Sequence, residues 1–367
     1  MKKILMISHS SRGGGAEIIF LKTADALKKN TLKIIFNSKE GFTVKKAETK
    51  KFDIEIINNF ILNTSVVKVI VRFIFWNSVS IFKLMKIIQK EKFDYIYSGS
   101  IVNYIGGIAA ILTRKKHVWH IHEMDNVGYQ WFNPKFNFLV RYILKYSTVI
   151  FVSDGVKNSW LKRLSLKESD LEYEIIYNPI KKLNKKKDYF NAKNKKITIG
   201  CAGGFCKNKN QKFLIETFIE LQKKYDNIFL KLAGDEVVNE GKRLIENKIS
   251  KKKYSLYDYT DISIFFSKID ILVVPSYSEA WPLVAIEAAS FGLIPVLTTE
   301  GSINELLKES ENAFYINPYN STELYEVLEN IIINYDRLKS SISNNNKKLL
   351  EKCEFNKKFE KRINSIF

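Results

Sequence analysis

Short β-rich runs alternate with stretches of helical spacing along almost the whole chain, and this alternation constrains the fold more than any other feature. KILMISH (3–9) precedes AEIIFLKTADALKK (16–29), in which apolar residues recur at helical intervals. LKIIFNS, DIEIINN, FDYIYSG, KHVWHIH and TVIFVSD are further strand-like runs, and the longest helical stretch between them is 65–92. Such alternation predicts parallel sheets covered by helices on both faces. The pattern breaks at KKLNKKKDYFNAKNKK (181–196), where eight of sixteen residues are lysine, and restarts at KITIGCAGG. The reading is therefore two doubly wound α/β domains: 1–179, a linker over 180–196, and 197–346. A mostly helical tail follows from about 321.

Residues 95–113 carry no charge and approach the length of a membrane span, but a strand-like start and three glycines favour strand, loop and helix. The opening MKKILMISHS is too briefly apolar for a secretory signal. Cys201, Cys206 and Cys353 have neither metal nor disulfide spacing. No cofactor or metal is expected, and the location is expected to be cytoplasmic. The chain has 59 Lys+Arg against 39 Asp+Glu, a formal charge of +20. The excess is 28 against 15 in residues 1–180 and 31 against 24 in the rest. That leaning suits an anionic partner near the first domain, an acidic membrane face or a phosphorylated substrate; a generally lysine-rich composition explains it equally. No nucleic-acid partner is expected.

Four segments carry chemistry. SSRGGGAEIIF places Gly14 and Gly15 between a strand and a helix, where backbone amides can approach an anion. It lacks the late glycine of dinucleotide-binding loops and the Lys-Ser/Thr of phosphate-binding loops. CAGGFCKNKNQKFLIE brings Lys207 and Lys209 to the end of another strand, where α/β proteins bind ligands. HVWHIHE holds three of the four histidines, with His120 and His122 on one strand face. SEAWPLVAIEAASFG spaces Glu279 and Glu287 eight residues apart, a little over two helical turns, and so points both carboxylates to roughly one side.

These segments, in this order over most of the chain, resemble the retaining glycosyltransferases of family 4, whose mark is Glu, seven residues, Glu. The opening strand and glycine loop, VWHIHE, FVSDGVKN, IIYNPI, KNQKFLIETF, LKLAGD, FFSKIDILVVPS and LIPVLTTEGSINELL all match landmarks of that family. The resemblance implies the GT-B fold, two Rossmann-like domains facing across a cleft, and a metal-independent hexosyltransferase. It implies that Glu287 binds the ribose of a nucleotide-sugar donor, that Glu279 lies by the donor sugar, and that His122 contacts that sugar. The amides of Trp281, Leu283 and Val284 would face sugar and phosphate, with Pro282 in the first helical turn. The diphosphate would lie between Gly14, Gly15 and Lys209. The family's usual Arg falls on Gly203 or Gly204, so Lys207 is expected to substitute. The tyrosines of LYDYTD (256–261) are expected beside the base. Helix 347–367, with Leu350, Cys353, Phe359, Ile363 and Ile366 in one stripe, is expected to return to the first domain and limit the pair to hinge closure. The expected acceptor is a lipid-linked saccharide in surface-polysaccharide assembly, with peripheral contact at the inner membrane face. A sugar-nucleotide epimerase of the same architecture and a non-catalytic partner subunit stay open.

Overall fold

The computed structural model describes the chain except residues 59–66, 126–136, 181–195, 235, 247, 259, 260, 300 and 354; at 67–76, 303 and 351–353 it describes the backbone only. The chain divides into two compact units, residues 1–179 with 355–367, and residues 180–354. The lysine-rich stretch 181–195, Tyr259 and the Cys353 side chain lie outside what is described.

The first unit runs β1 (Lys3–Ile7), α1 (Gly15–Ala26), β2 (Thr31–Phe36), α2 (Phe42–Thr49), β3 (Asp53–Ile56), α3 (Val67–Glu91), β4 (Tyr95–Gly99), α4 (Tyr104–Thr113), β5 (Lys116–Ile121), α5 (Asn137–Tyr146), β6 (Thr148–Phe151), α6 (Asp154–Leu164) and β7 (Glu172–Ile175). The strands form one parallel sheet in the order β3-β2-β1-β4-β5-β6-β7. Strands buried on both faces read as unbroken apolar runs rather than alternating ones. ILMI in β1 and VIF in β6 are buried throughout. The uncharged stretch 95–113 is β4, a short loop and α4. Among the described residues no helix is long and apolar enough to cross a membrane.

The final helix, Phe355–Ile366, belongs to this first unit. It buries Phe355, Phe359 and Ile363. Phe355 meets the Tyr177 ring edge-on, and Phe367 packs on Tyr95 and Tyr97. Arg362 pairs with Glu174. The return therefore starts at Phe355, not at 347. Leu350 and Cys353 sit on the preceding helix, in the second unit, so the expected single stripe is split between two helices.

The second unit runs β8 (Ile197–Ala202), α7 (Gln211–Leu221), β9 (Ile228–Ala233), α8 (Lys242–Ile245), β10 (Tyr254–Tyr257), α9 (Ile262–Phe266), β11 (Ile271–Val274), α10 (Leu283–Phe291), β12 (Ile294–Thr298), β13 (Phe314–Ile316), α11 (Ser321–Ile333) and α12 (Tyr335–Cys353); the returning helix becomes α13. Its sheet is parallel in the order β10-β9-β8-β11-β12-β13. Ile199, Leu214, Phe218, Leu230, Val273 and Ile294 lie in one continuous core beneath it. In each unit the strand order reverses once, beside β1 and β4 in the first and beside β8 and β11 in the second. The crevice at such a reversal, outside the carboxyl ends of the strands, is where open α/β sheets bind ligands.

Candidate active site

In the second unit the reversal brings together two side chains 70 residues apart. The turn after β8 is a short 3-10 segment, Lys207–Lys209, closed by Asn210 in a left-handed conformation. From it Lys209 Nζ reaches Glu279 Oε1 at 2.5 Å, and Ser276 Oγ donates to the same oxygen at 2.6 Å. The loop is held in register by Tyr277 N donating to Asn208 O (2.8 Å) and Asn208 Nδ2 donating to Ser278 O (3.1 Å). Burial alone would lower the Lys209 pKa; the charge of Glu279 and its hydrogen bond outweigh that and raise it, so the cation persists at neutral pH. Burial pushes the neighbouring Cys201 thiol up to about 12, which removes it as a nucleophile.

Glu279 does not sit on a helix. It forms an isolated parallel bridge with Gly301, and Ser302 N donates to its carbonyl at 3.3 Å. Gly301 adopts φ +154°, and a Cβ there would stand 2.3 Å from the Glu279 carbonyl oxygen, so only glycine permits this approach. Helical arithmetic over eight residues therefore fails: only Glu287 is helical, half-buried on α10. Pro282 is the N-cap of α10 rather than a first-turn residue, with Ala285 N donating to its carbonyl at 3.0 Å. Leu283 and Val284 follow as the first two helical residues. Their amides have no intrahelical acceptor and carry the positive end of the helix dipole. Trp281 is buried at the same end. Lys207 stands exposed at the start of the 3-10 turn. Where the family resemblance expects Arg, the carbonyls of Gly203 and Gly204 accept from Gln211 Nε2 at 3.2 and 2.8 Å. The Tyr257 ring packs edge-on against Phe265 under Lys268.

In the first unit the loop after β1 is braced by Asn37 Nδ2 donating to His9 O (3.0 Å) and by Asn103 Nδ2 donating to Ile7 O (2.6 Å). Gly14 is the N-cap of α1 and Gly15 its first residue. A Cβ on Gly14 would lie 2.6 Å from Glu17 Oε2; on Gly15 it would meet nothing within 4 Å. Glu17 thus folds its buried carboxylate back over the helix start, with His9 Nε2 at 3.6 Å. A carboxylate is favourable at a helix N-terminus, and here it occupies the Gly14 side of that terminus. Residue pattern alone missed Glu17 and His9; the signal was an acid in the first turn directly after the glycines.

The three histidines of β5 and its end differ. His117 is a satisfied core residue, with Nδ1 at 2.6 Å from Ser147 Oγ and Nε2 at 3.0 Å from Ser98 Oγ. His120 shares Nδ1 with Tyr97 Oη at 2.7 Å, and its Nε2 has no protein partner. His122 is buried with both ring nitrogens unpartnered, its ring tilted against that of His120 with centroids 4.1 Å apart. Burial lowers the His117 and His120 pKa values to about 3; burial, then His120 and His9, hold His122 well below the ordinary value. All three rings are neutral at physiological pH. Among the described residues no group of three or more His, Cys, Asp or Glu is placed to hold a metal ion.

Comparison with known proteins decides the family. Residues 13–181 match the family described as Glycosyltransferase Family 4, and residues 183–349 match the one described as Glycosyl transferases group 1. The chain belongs to the family 4 glycosyltransferases. The glycosyltransferase is 26% identical over 348 residues, 91% of each chain, to an uncharacterised glycosyltransferase of Haemophilus influenzae. It is 22% identical over 352 residues, 89% of its own length and 87% of the other, to the capsular polysaccharide biosynthesis glycosyltransferase CapM of Staphylococcus aureus. Its fold matches the Anabaena protein HepE, whose crystal structure holds UDP and glucose, with a TM-score of 0.80 over the whole of both chains at 18% identity. The two doubly wound units are thus those of the GT-B fold.

Proposed function

We propose that the enzyme moves a hexosyl group from a nucleotide-sugar donor to a saccharide acceptor with retention of anomeric configuration. The Lys209–Glu279 pair at the reversal point of the second sheet, beside the start of α10, carries this reading. The pair is half-buried, its desolvation repaid by close geometry and the Ser276 hydrogen bond, and the Lys209 end stays open to an anionic ligand that can exchange for Glu279. A diphosphate placed there receives Lys209 and the Leu283 and Val284 amides; Glu279 then turns to donor-sugar hydroxyls. Glu287, one turn further along α10, accepts both hydroxyls of the ribose, since one carboxylate can take a vicinal diol. In the first unit, His122 offers neutral, unpartnered ring nitrogens to sugar hydroxyls.

In the reaction the anomeric C–O bond to the diphosphate breaks. The acceptor hydroxyl oxygen bonds to that carbon on the same face, and its proton passes to the departing phosphate oxygen. Charge on the leaving group is met by Lys209 and the two amides, without a metal ion. UDP in HepE supports a uridine diphosphate sugar as the first donor to try, and the CapM likeness supports a polysaccharide acceptor, read here as lipid-linked and met at the cytoplasmic membrane face.

The test is incubation with a panel of nucleotide sugars, with and without saccharide acceptors and EDTA, followed by detection of free nucleotide. Nucleotide release that is stimulated by an acceptor and survives EDTA is the expected outcome. An altered sugar nucleotide without release would make the protein an epimerase, and binding without turnover would make it a partner subunit.

A further inference from the structure

Right-handed crossovers put the helices of the first unit on two faces of its sheet. The chain moves outward from β1 to β3 through α1 and α2, then back across from β3 to β6 through α3, α4 and α5. The latter three, with α6 continuing the same way from β6 to β7, therefore form one layer, in which α3 packs on α4, α4 on α5 and α5 on α6. Among the described residues ten large apolar side chains are exposed, and five of them lie on this layer: Phe82 on α3, Leu112 on α4, and Phe138, Tyr142 and Tyr146 on α5. The last three, spaced by four, make one stripe along the outer side of α5, 71%, 60% and 41% exposed, opposite its buried Val140, Ile143 and Leu144.

Charge on the layer is one-sided. The α3 sequence holds five basic residues and one acid, Glu91, which is occupied with Lys33. No charged residue occurs in α4, and α5 has Arg141 and Lys145 without an acid. Arg114 and Lys116 are exposed at the turn that follows α4, where Tyr146 Oη donates to Lys115 O at 3.0 Å. Lys86 Nζ stands 4.5 Å above the Phe82 ring. Opposing acids are few: Asp170 pairs with Lys145 at 2.8 Å, and Asp154 on α6 pairs with Lys157 at 3.1 Å. On the other layer α1 has Glu17 and Asp25 with Lys22, α2 has Glu48 with Lys45 and Lys46, and α13, which packs on α1, has four basic residues with Glu360. What that layer lacks is the apolar stripe, since among the described residues Phe42 alone of its large apolar side chains is exposed.

Aromatic rings and leucine exposed among lysines and arginines, with few acids, match the boundary of an anionic bilayer. Rings settle at headgroup depth, and each cation gains from the negative surface. We infer that the outer side of α3, α4 and α5 is the surface by which this protein docks on an anionic phospholipid membrane. The inference goes beyond the proposed reaction, because docking is read without turnover.

Flotation of the full chain with vesicles tests it. Wild type floats with vesicles of phosphatidylcholine and phosphatidylglycerol, and less as salt rises. Lys83→Gln with Lys86→Gln lowers the partition coefficient roughly 25-fold, about fivefold per charge. Phe138→Ser with Tyr142→Ser lowers it on anionic and neutral vesicles alike. Lys45→Gln with Lys46→Gln, on the other layer, leaves it as in wild type. Wild-type levels of flotation in the α3 and α5 variants, or equal loss in the α2 variant, would overturn the inference. So would a concentration-dependent dimer in sedimentation that Phe138→Ser abolishes, which would give this face to a second copy. Nucleotide release from the donor sugar, measured without vesicles in the same variants, stays at the wild-type level. If release is absent in all of them while flotation behaves as stated, the reaction is misread and the docking surface stands.

Discussion

At the carboxyl ends of the first sheet, His120 and His122 are buried and neutral, with three ring nitrogens lacking protein partners. At the corresponding ends of the second sheet, Lys209 and Glu279 are mostly buried too, but charged and bonded to one another. The same fold thus keeps polar groups out of water in two ways. A neutral ring tolerates burial at modest cost; a charge tolerates it only beside an opposite charge. Neutral acceptors suit hydroxyl groups, whose binding moves no net charge. A charged pair suits a ligand that brings charge of its own and exchanges one partner for another.

The sharpest way to break this contrast is to remove one charge. Lys209→Ala is expected to lower the turnover rate by about 10²–10³-fold, the usual cost of losing a group that meets developing charge. Steady-state kinetics on folded protein checks it; a rate within a few-fold of wild type would remove Lys209 from the reaction. Acidification separates the two units next. The His117 and His120 pKa values of about 3 lie below the ordinary value of about 6.5, so protons bind the unfolded chain first. The stability present above about pH 6.5 is therefore lost as pH falls towards about 3, by roughly 2 kcal/mol per histidine at about pH 5. All four histidines fall within the first 122 residues. Hydrogen exchange on acidification should open peptides of the first unit before those of the second. The raised Lys209 pKa has the opposite sign: its contribution persists at low pH and fades only in alkali.

Glu287→Ala sharpens the ligand side. Loss of a charged hydrogen-bond partner weakens nucleotide binding by roughly 1.5–3 kcal/mol, measurable by calorimetry with UDP. Unchanged affinity would place the ribose elsewhere. The smallest effect concerns the glycine loop. Gly15→Ala should fold normally and gain up to about 1 kcal/mol in thermal unfolding, since its Cβ meets open space and alanine favours the helix. Gly14→Ala should destabilise slightly, because alanine is a poorer N-cap than glycine, while the Glu17 carboxylate at the end of its flexible side chain can swing aside.

What the sequence made legible was local or periodic. Apolar runs located the strands, and a family motif order located the second unit's loops. Gly292, in the left-handed region, ends α10 as a glycine after a helical run would predict. What escaped were meetings between distant segments. No spacing rule joins Lys209 to Glu279, and none separates His117, saturated by two serines, from His122, saturated by nothing. The Glu279–Glu287 spacing misled about geometry because a bridge to Gly301 holds the first carboxylate off the helix. The stripe expected over 347–367 was split because a helix boundary falls between Cys353 and Phe355.

That boundary bears on how the protein is made. Synthesis runs from the amino end, and domains generally fold as units while the chain emerges. The second unit has all its strands by Ile316, yet the first lacks Phe355, Phe359 and Ile363 until everything between has been translated. The portion translated first is therefore finished last. Until then the surface that receives those three side chains waits uncovered on a nascent chain, and that interval is when a chaperone would find it.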